Sequence, residues 1–331
     1  MGAWRKWVRQ PQTVFLRKAA FQVHLWIGLA LGLYIVMLSI TGSALVFRRE
    51  MDAAFRTPLP TFDEKATVLT TEQITQRATA IYPDYKITFV STGVRRRNPA
   101  IEITMERGGE VMDRLFNPYT GADLGDAFPW KSRALLWVVN LHDDLLFDRD
   151  GRWWNGVLSG IVTVLCLTGA IVWWPGSMRW RRGMSIKWSA GWRRLNFDMH
   201  SAIGFWVFLL MLIWGISGIY LGIPDPFTET SAYFAGPNGD GKIGLWIEEV
   251  MLWMTRLHFG RWRNMPLQIL WVILGLVPAV LFVTGTIMWW QRVIRKRNPE
   301  TGQRVVKATA AGKAAPASTA ARTVTGVAGG L

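Results

Sequence analysis

The sequence predicts an all-α membrane protein: a four-helix transmembrane bundle from two parallel repeats, with a small α+β domain inserted between helices 1 and 2. Half of the 331 residues are hydrophobic and 20 are Trp, a composition typical of membrane proteins with aromatic belts at both interfaces. Four apolar stretches are long enough to cross about 30 Å of hydrocarbon as helices. In addition, the second half of the chain repeats the first.

The duplication is visible as two registers without gaps. A shift of 176 residues lays the first span on the third and carries His24 onto His200. A shift of 116 residues lays the second span on the fourth and carries His142 onto His258. The shifts differ by 60 residues, which is the size of a segment inserted in the first half only. The four histidines of the chain therefore form two repeat-related pairs.

The basic residues predict the orientation. Lys and Arg cluster before the first span, between the second and third, and after the fourth, so the positive-inside rule places both termini in the cytoplasm. Because the net charge of +15 is confined to one side, it is explained by topology and nucleic-acid binding is excluded. The predicted order is a basic cytoplasmic N-terminus (1–20), span one (21–47), a periplasmic domain (48–130), an interfacial helix (131–147), span two (152–174), a cytoplasmic loop (175–196), span three (197–223), a periplasmic loop with a second interfacial helix (224–262), span four (266–291) and a disordered cytoplasmic tail (292–331).

The inserted segment predicts one helix on a short antiparallel sheet. Thr70 and Gln73 have the spacing of a capping box, which predicts a helix over 70–81. Gly108 and Gly109 predict a hairpin turn. The predicted strands are 86–92, 100–106 and 110–116. Such a module is too small to hold a catalytic core of its own.

Depth in the membrane determines which histidines can meet. His24 and His200 lie at the cytoplasmic ends of their spans, whereas His142 and His258 lie near the ends of the interfacial helices. The two levels are separated by roughly 20–30 Å. A shared ligand is therefore possible only across the repeats, between His24 and His200 or between His142 and His258. A polar break at 148–152 is expected after the first interfacial helix.

Two facing neutral imidazoles can hold haem iron from both axial positions. Zinc usually takes four ligands, and apart from Asp198 no Cys, Asp or Glu lies close to His24 or His200 on the same helix face. A proton relay would place carboxylates within the spans, where the central portions have none. Copper held by two His is possible but gives no reason for the Gly and Trp around them. Asp143 and Asp144 are expected either to accept the ring N–H of His142 or to be solvated. Cys166, the single cysteine, allows no disulfide and is expected to be a packing residue.

Several motifs resemble the PepSY-associated transmembrane family. They are Phe21, His24 and Gly28 at the first span, the Leu-Thr-Gly (167–169) and Trp-Trp-Pro (173–175) of the second, and 117–121 closing the inserted segment. The resemblance covers roughly residues 15–295. It implies an inner-membrane reductase that carries two haem b groups, with His24, His142, His200 and His258 as axial ligands of the iron, and that releases iron from ferric siderophores in the periplasm.

The remaining expectations concern partners and alternatives. Because the chain has no Gly-rich dinucleotide fingerprint, its electrons are expected from quinol or a cytoplasmic reductase. Arg95, Arg96 and Arg97 either contact an anionic chelate or are solvated surface charge. A non-enzymatic iron-chelate permease would show polar or broken helices at mid-membrane, whereas the predicted spans are uninterrupted. A PepSY-type partner-binding, regulatory membrane protein would hold no cofactor, and its histidines would be structural.

Overall fold

The computed structural model describes residues 3–62, 66–91, 100–178, 180–260, 262 and 264–293. The first helices are α1 (Ala3–Arg9), α2 (Phe15–Ala30), α3 (Gly32–Leu45) and α4 (Arg48–Phe55). The inserted domain follows with α5 (Thr71–Ile81), β1 (Lys86–Val90), β2 (Ile101–Arg107), β3 (Glu110–Phe116) and β4 (Asp123–Asp126). The remaining helices are α6 (Trp130–Asp144), α7 (Asp148–Trp173), α8 (Trp192–Gly222), α9 (Asp225–Ala235), α10 (Lys242–Phe259) and α11 (Met265–Val293). Short 3-10 turns occur at Pro11–Thr13 and Trp180–Met184.

The chain is a multi-pass membrane protein. By length and composition α7, α8 and α11 can each cross a membrane, and α2 with α3 forms a fourth span if the bent pair is counted as one. Only 6% of the most apolar stretch of α7 is buried inside the protein, so lipid must cover the rest of its apolar surface. The end of the bundle where α2 begins and α11 ends is called the basic end below, and the opposite end, which carries the inserted domain, is called the domain end.

The first span is broken, so the prediction of an uninterrupted helix over 21–47 is wrong. Its helix begins earlier, at Phe15, and turns by 63° between α2 and α3. At the break, a side chain on Gly32 would overlap the ring of Phe282 in α11, so glycine permits this close approach. Because α2 packs on α7 while α3 packs on α11 and α6, the bend moves the span from one set of neighbours to another.

The second span also differs from its prediction. The residues expected to form a polar break, 148–152, are the first turn of α7. Asp148 and Asp150 lie where negative charge complements the helix dipole. The turn from α6 is made instead by Leu145 and Leu146, both with positive φ, and the close approach of the Asp144 carbonyl leaves room only for glycine at Gly151.

The inserted domain is a four-stranded antiparallel sheet in the order β1-β2-β3-β4 with α5 packed on it. Ile74, Ile103, Met105 and Phe116 are fully buried between helix and sheet. The predicted capping box is present, with the amide of Gln73 donating to the Thr70 hydroxyl and the amide of Thr70 donating to the Gln73 side chain. β4 was not expected, because its Asp-Leu-Gly-Asp sequence has low strand propensity.

Two further helices lie where the sequence predicts none. α4 continues directly from the first span at 48–55, a stretch assigned to the inserted domain, and α9 precedes α10 in the loop 224–262. The α9–α10 hairpin is tightly packed, since the hydroxyl of Ser231 donates to the Gly244 carbonyl at 3.1 Å. The predicted tail and Arg95, Arg96 and Arg97 lie outside the described residues, apart from Arg292 and Val293 at the end of α11.

Two facing histidine pairs as a candidate cofactor site

The first histidine pair lies toward the basic end. His24 projects from α2 and His200 from α8, and their ring centroids are 6.5 Å apart with an interplanar angle of 83°. Both rings are half-buried. They come from different repeats, so the structure brings together residues 176 positions apart in the sequence.

The second pair lies at the domain end, with His142 on α6 and His258 on α10. Their centroids are also 6.5 Å apart, at an interplanar angle of 66°. Both helices end shortly after the histidine at a left-handed residue, Leu145 or Gly260. Burial lowers the pKa of His142, although Asp143 opposes the shift. Burial, followed by repulsion from His142, lowers the pKa of His258 to about 3, so both rings are neutral near pH 7.

The two levels are well separated along the bundle. His200 and Ser217, which contacts His258, lie seventeen residues apart in the continuous helix α8. That spacing corresponds to about 25 Å along a straight helix. The histidines therefore form two separate pairs.

All four imidazole rings are hydrogen-bonded to the protein through Nδ1. Each Nδ1 is hydrogen-bonded to a neighbouring transmembrane helix, and within the described residues no hydrogen bond involves Nε2. The contacts are His24 Nδ1 to Leu165 O at 3.0 Å and to Thr168 Oγ1 at 3.4 Å, His142 Nδ1 to Thr41 Oγ1 at 2.9 Å, His200 Nδ1 to Thr284 Oγ1 at 2.9 Å, and His258 Nδ1 to Ser217 Oγ at 2.7 Å.

The hydroxyl groups fix the tautomer of these rings. Each hydroxyl donates its one proton to the carbonyl four residues earlier in its own helix, at 2.7–2.9 Å. The pairs are Thr41 with Met37, Thr168 with Val164, Ser217 with Ile213, and Thr284 with Val280. Because the hydroxyl proton is already used, the oxygen must accept a proton from the imidazole. Nδ1 then carries the hydrogen, and Nε2 keeps its lone pair for a metal.

A glycine follows each of these hydroxyl residues and lets three of the rings approach the helix backbone. A Cβ atom on Gly42 would lie 2.8 Å from Cε1 of His142, and one on Gly169 would lie 3.0 Å from Cε1 of His24. For Gly285 the corresponding distance to His200 is 3.2 Å. Gly218 differs, because a Cβ there would meet Oγ of Ser159 rather than His258.

The distance between the two rings of each pair fits a metal held between them. An axial metal–nitrogen bond of about 2 Å on each side, with about 1 Å more to each ring centre, separates two imidazole centroids by about 6 Å. The observed separation is 6.5 Å in both pairs. Within the described part of the chain, no three His, Cys, Asp or Glu side chains converge on one metal position. Two axial imidazoles with the equatorial positions left open are the ligand set for a haem iron.

The comparison with protein families concerns the chain as a whole. A family model described as the PepSY-associated TM region matches residues 21–242 and 236–292. The chain belongs to the PepSY-associated transmembrane family.

The chain is also similar to an uncharacterized protein of Pseudomonas aeruginosa. It is 31% identical over 113 residues, which are 33% of this chain and 27% of the relative. The match thus spans about a quarter of that protein's length.

The structure also shows the surroundings of Asp143, Asp144 and Cys166. Asp143 and Asp144 do not accept the ring N–H of His142, because Nδ1 contacts Thr41; Asp144 is buried and accepts instead from the amide of Leu146 at 3.1 Å. Cys166 is free and half-buried in α7.

The four Thr-Gly or Ser-Gly dipeptides that contact the histidine rings were not predicted from the sequence as site residues. Thr41-Gly42 and Ser217-Gly218 are related by the 176-residue shift, and Thr168-Gly169 and Thr284-Gly285 by the 116-residue shift. The signal was therefore present, as a Thr-Gly or Ser-Gly dipeptide in every span. Its meaning depends on the ring facing it, which belongs to another helix.

A second set of missed residues holds the ends of the histidine-bearing helices. Asn155 in α7 donates from Nδ2 to the carbonyls of His142, at 2.8 Å, and Asp143, at 3.1 Å. The 116-residue shift carries Asn155 onto Trp271, whose indole N–H donates to the Leu257 carbonyl at 2.9 Å. The two donors differ in chemistry, so sequence comparison between the repeats does not reveal their common task.

Proposed function

We propose that this chain is a dihaem reductase of the bacterial inner membrane, which moves electrons from the cytoplasmic side to a periplasmic ferric chelate. The observation that carries the proposal is the pair of facing imidazoles at each end of the bundle, 6.5 Å apart, with Nδ1 bonded to protein and Nε2 left for iron. His24 and His200 would hold one haem b, and His142 and His258 the other.

Bound haem would supply reversible one-electron chemistry without an open coordination position for oxygen. The protein's own contribution is to keep the rings neutral and oriented. Thr41, Ser217 and Thr284 are buried and accept the ring N–H, while Leu165 does so through its carbonyl. This network fixes which nitrogen faces the iron before a cofactor binds.

The charge distribution supports the proposed orientation of the protein in the membrane. The basic end carries Arg and Lys residues of α1, α2 and the segment between α7 and α8, which favours its placement in the cytoplasm. Quinol or a cytoplasmic reductase would then deliver electrons to the pair at that end, and the acceptor would meet the domain end in the periplasm.

A ferric siderophore suits the acceptor role. Adding one electron converts Fe(III) to Fe(II), which hard oxygen ligands hold less tightly because its charge is lower. The inserted domain lies at the same end as His142 and His258, because Arg133 of α6 contacts Asp126 of β4 at 3.4 Å. The domain would therefore border the approach of such a substrate.

The broken first span favours a second candidate, an iron-chelate permease. The break at Leu31 lies between the two histidine levels, where a permease would place its substrate site. Transporter repeats usually carry such breaks at corresponding positions of both halves. Here the third span is continuous from Trp192 to Gly222, which supports the reductase over the permease.

The deciding experiment is absorption spectroscopy of the full-length protein, purified in detergent from haem-replete cells, before and after dithionite reduction. We expect a low-spin b-type spectrum with two haems per chain, falling toward one in His24→Ala and in His258→Ala. Cys166→Ala, a change within a span but outside both pairs, is the matched control and should retain two. The reduced protein should then release Fe(II) from a ferric siderophore to an Fe(II)-specific dye.

The rival functions give different results in the same preparation. A colourless protein overturns the reductase proposal and favours the partner-binding function. Chelate uptake into proteoliposomes without any redox spectrum identifies the permease. A haem spectrum that is unchanged in both histidine variants would show that the cofactor lies elsewhere.

A further inference from the structure

Arg17 is a charged side chain with an unused hydrogen-bond donor inside the bundle. It lies in α2, and its Nη2 donates to the Val172 carbonyl in the last turn of α7 at 2.7 Å. Its Nε is buried and has no acceptor among the residues that the structure describes. A desolvated guanidinium N–H without an acceptor is unfavourable, since it has lost water and gained nothing in return. An acceptor oxygen from outside the described residues would satisfy this donor, and an anionic oxygen would also match its charge.

Arg17 lies on the same face of α2 as His24. Seven residues separate them, which is close to two helical turns and about 10 Å along the axis. Both side chains bond to carbonyls of α7, Arg17 to Val172 and His24 to Leu165, and these carbonyls are also seven residues apart. Arg17 therefore lies next to the His24 site, about 10 Å further toward the basic end along α2.

The second repeat supplies a matching arginine. The 176-residue shift carries Arg17 onto Arg193, which precedes His200 by seven residues in α8. Arg193 is exposed and forms no ion pair within the described part of the chain. Its neighbour Arg194 is already paired with Asp198 at 2.8 Å. Arg193 therefore occupies the same register position before His200 as Arg17 does before His24.

We propose that Arg17 and Arg193 bind the two propionate carboxylates of the haem at this pair. A flat ligand held by His24 on α2 and His200 on α8 would lie between these two helices. Its acidic edge would then be able to meet cations that lie toward the basic end. Guanidinium groups bind carboxylates with paired, charge-assisted hydrogen bonds. This inference rests on the proposed dihaem function and adds the residues that fix the orientation of one haem.

Arg17→Gln tests the proposal in the full-length, haem-loaded protein. The haem at the basic end is first identified as the one missing in His200→Ala. In Arg17→Gln we expect its midpoint potential to fall, because a positive charge beside the propionates no longer favours the reduced state. Its transfer to apomyoglobin should become about tenfold faster. Arg193→Gln should shift both quantities in the same direction, and the double variant should shift them further.

Two controls separate a specific contact from general loss of charge. Lys18→Gln removes the exposed cation next to Arg17 and should leave both quantities at the wild-type value. Arg17→Lys keeps the charge but removes Nε, and it should give an intermediate rate of haem transfer. If Arg17→Gln does not fold, Arg193→Gln decides, because it leaves the contact with Val172 intact.

Three results would overturn the assignment. Wild-type potential and transfer rate in both Arg17→Gln and Arg193→Gln would refute it while leaving the dihaem function standing. Loss of bound anionic phospholipid from Arg17→Gln, measured as phosphorus content at unchanged potential, would identify a lipid phosphate as the acceptor. A wild-type protein without haem would remove the proposed function and this inference together.

Discussion

The hydroxyl oxygen of Ser217 lies 2.7 Å from Nδ1 of His258, and the same hydroxyl donates its proton to the Ile213 carbonyl at 2.7 Å. Ser217 is fully buried in α8, so no water competes for either bond. One side chain thereby fixes the tautomer of a ring on another helix. The equivalent residue in the first repeat is Thr41, which makes the same contacts with His142 and Met37.

Ser217→Ala should weaken the cofactor site at the domain end while the site at the basic end remains intact. Without the acceptor, Nδ1–H of His258 loses its partner and the ring is free to turn, so we expect about tenfold weaker retention of that haem. Haem-to-protein stoichiometry under detergent washing measures this, together with the low-spin EPR signal. Ser217→Thr supplies the residue of the first repeat and should restore wild-type behaviour. An alanine variant with wild-type retention would exclude this role for the hydroxyl.

Gly42→Ala should displace His142. The added Cβ would lie 2.8 Å from Cε1 of the ring, closer than carbon atoms pack, so the ring must move away from α3. We expect loss of one haem per chain in the absorption spectrum. Gly204→Ala is the control, since its Cβ would only touch Leu281 at an ordinary 3.9 Å. Equal haem content in the two variants would contradict the packing argument.

Asn155→Ala should loosen the end of α6. The substitution removes two hydrogen bonds to the carbonyls of His142 and Asp143 and should cost about 1–3 kcal/mol of local stability. The rate of amide hydrogen exchange in residues 130–147 of the full-length protein should increase by the factor that corresponds to this loss of local stability. Tyr34→Phe removes only the phenol that donates to Asn155 Oδ1 at 2.6 Å and should have a smaller effect. Unchanged exchange in Asn155→Ala would show that these bonds do not hold the helix.

The inserted domain should lose stability in acid through Asp123. Desolvation alone would raise the pKa of this carboxyl, but hydrogen bonds from Arg114 and Tyr82 outweigh it and hold the pKa below its ordinary value of 3.8. The contribution is therefore complete above 3.8 and is lost as pH falls from there to the lowered pKa. Asp123→Asn should remove about 1–3 kcal/mol at neutral pH and much of the acid sensitivity.

Limited proteolysis of the inserted domain in the full-length protein measures both effects, with trypsin at neutral pH and pepsin in acid. Asp84→Asn is the matched control, because its carboxylate is 77% exposed and reaches Arg107 only at 4.0 Å. Faster cleavage of Asp123→Asn than of Asp84→Asn is the expected result. Equal rates would mean that the Arg114–Asp123 pair contributes no measurable stability.

Local patterns were sufficient for much of the fold. The capping box at Thr70 and Gln73 and the hairpin at Gly108 and Gly109 depend on neighbours within a few residues, so the chain itself contains the information. The same holds for α7, α8 and α11, whose length and apolar composition alone indicate spans. β4 was not predicted because its pairing with β3 outweighs the low strand propensity of its sequence. The helical start at Asp148 was not predicted because the favourable position of its charge at the helix N-terminus outweighs weak local propensity.

The sequence by itself determined the membrane class, the duplication and the two pairs of histidines, because apolar run length and repeat register are one-dimensional properties. Only the tertiary structure decided the 63° break in the first span, since it follows from the approach of Phe282 to Gly32 across 250 positions of sequence. It also decided which atom of each ring is held. Hydrogen bonds such as Ser217 to His258 join different helices, and no periodicity within either helix specifies its partner.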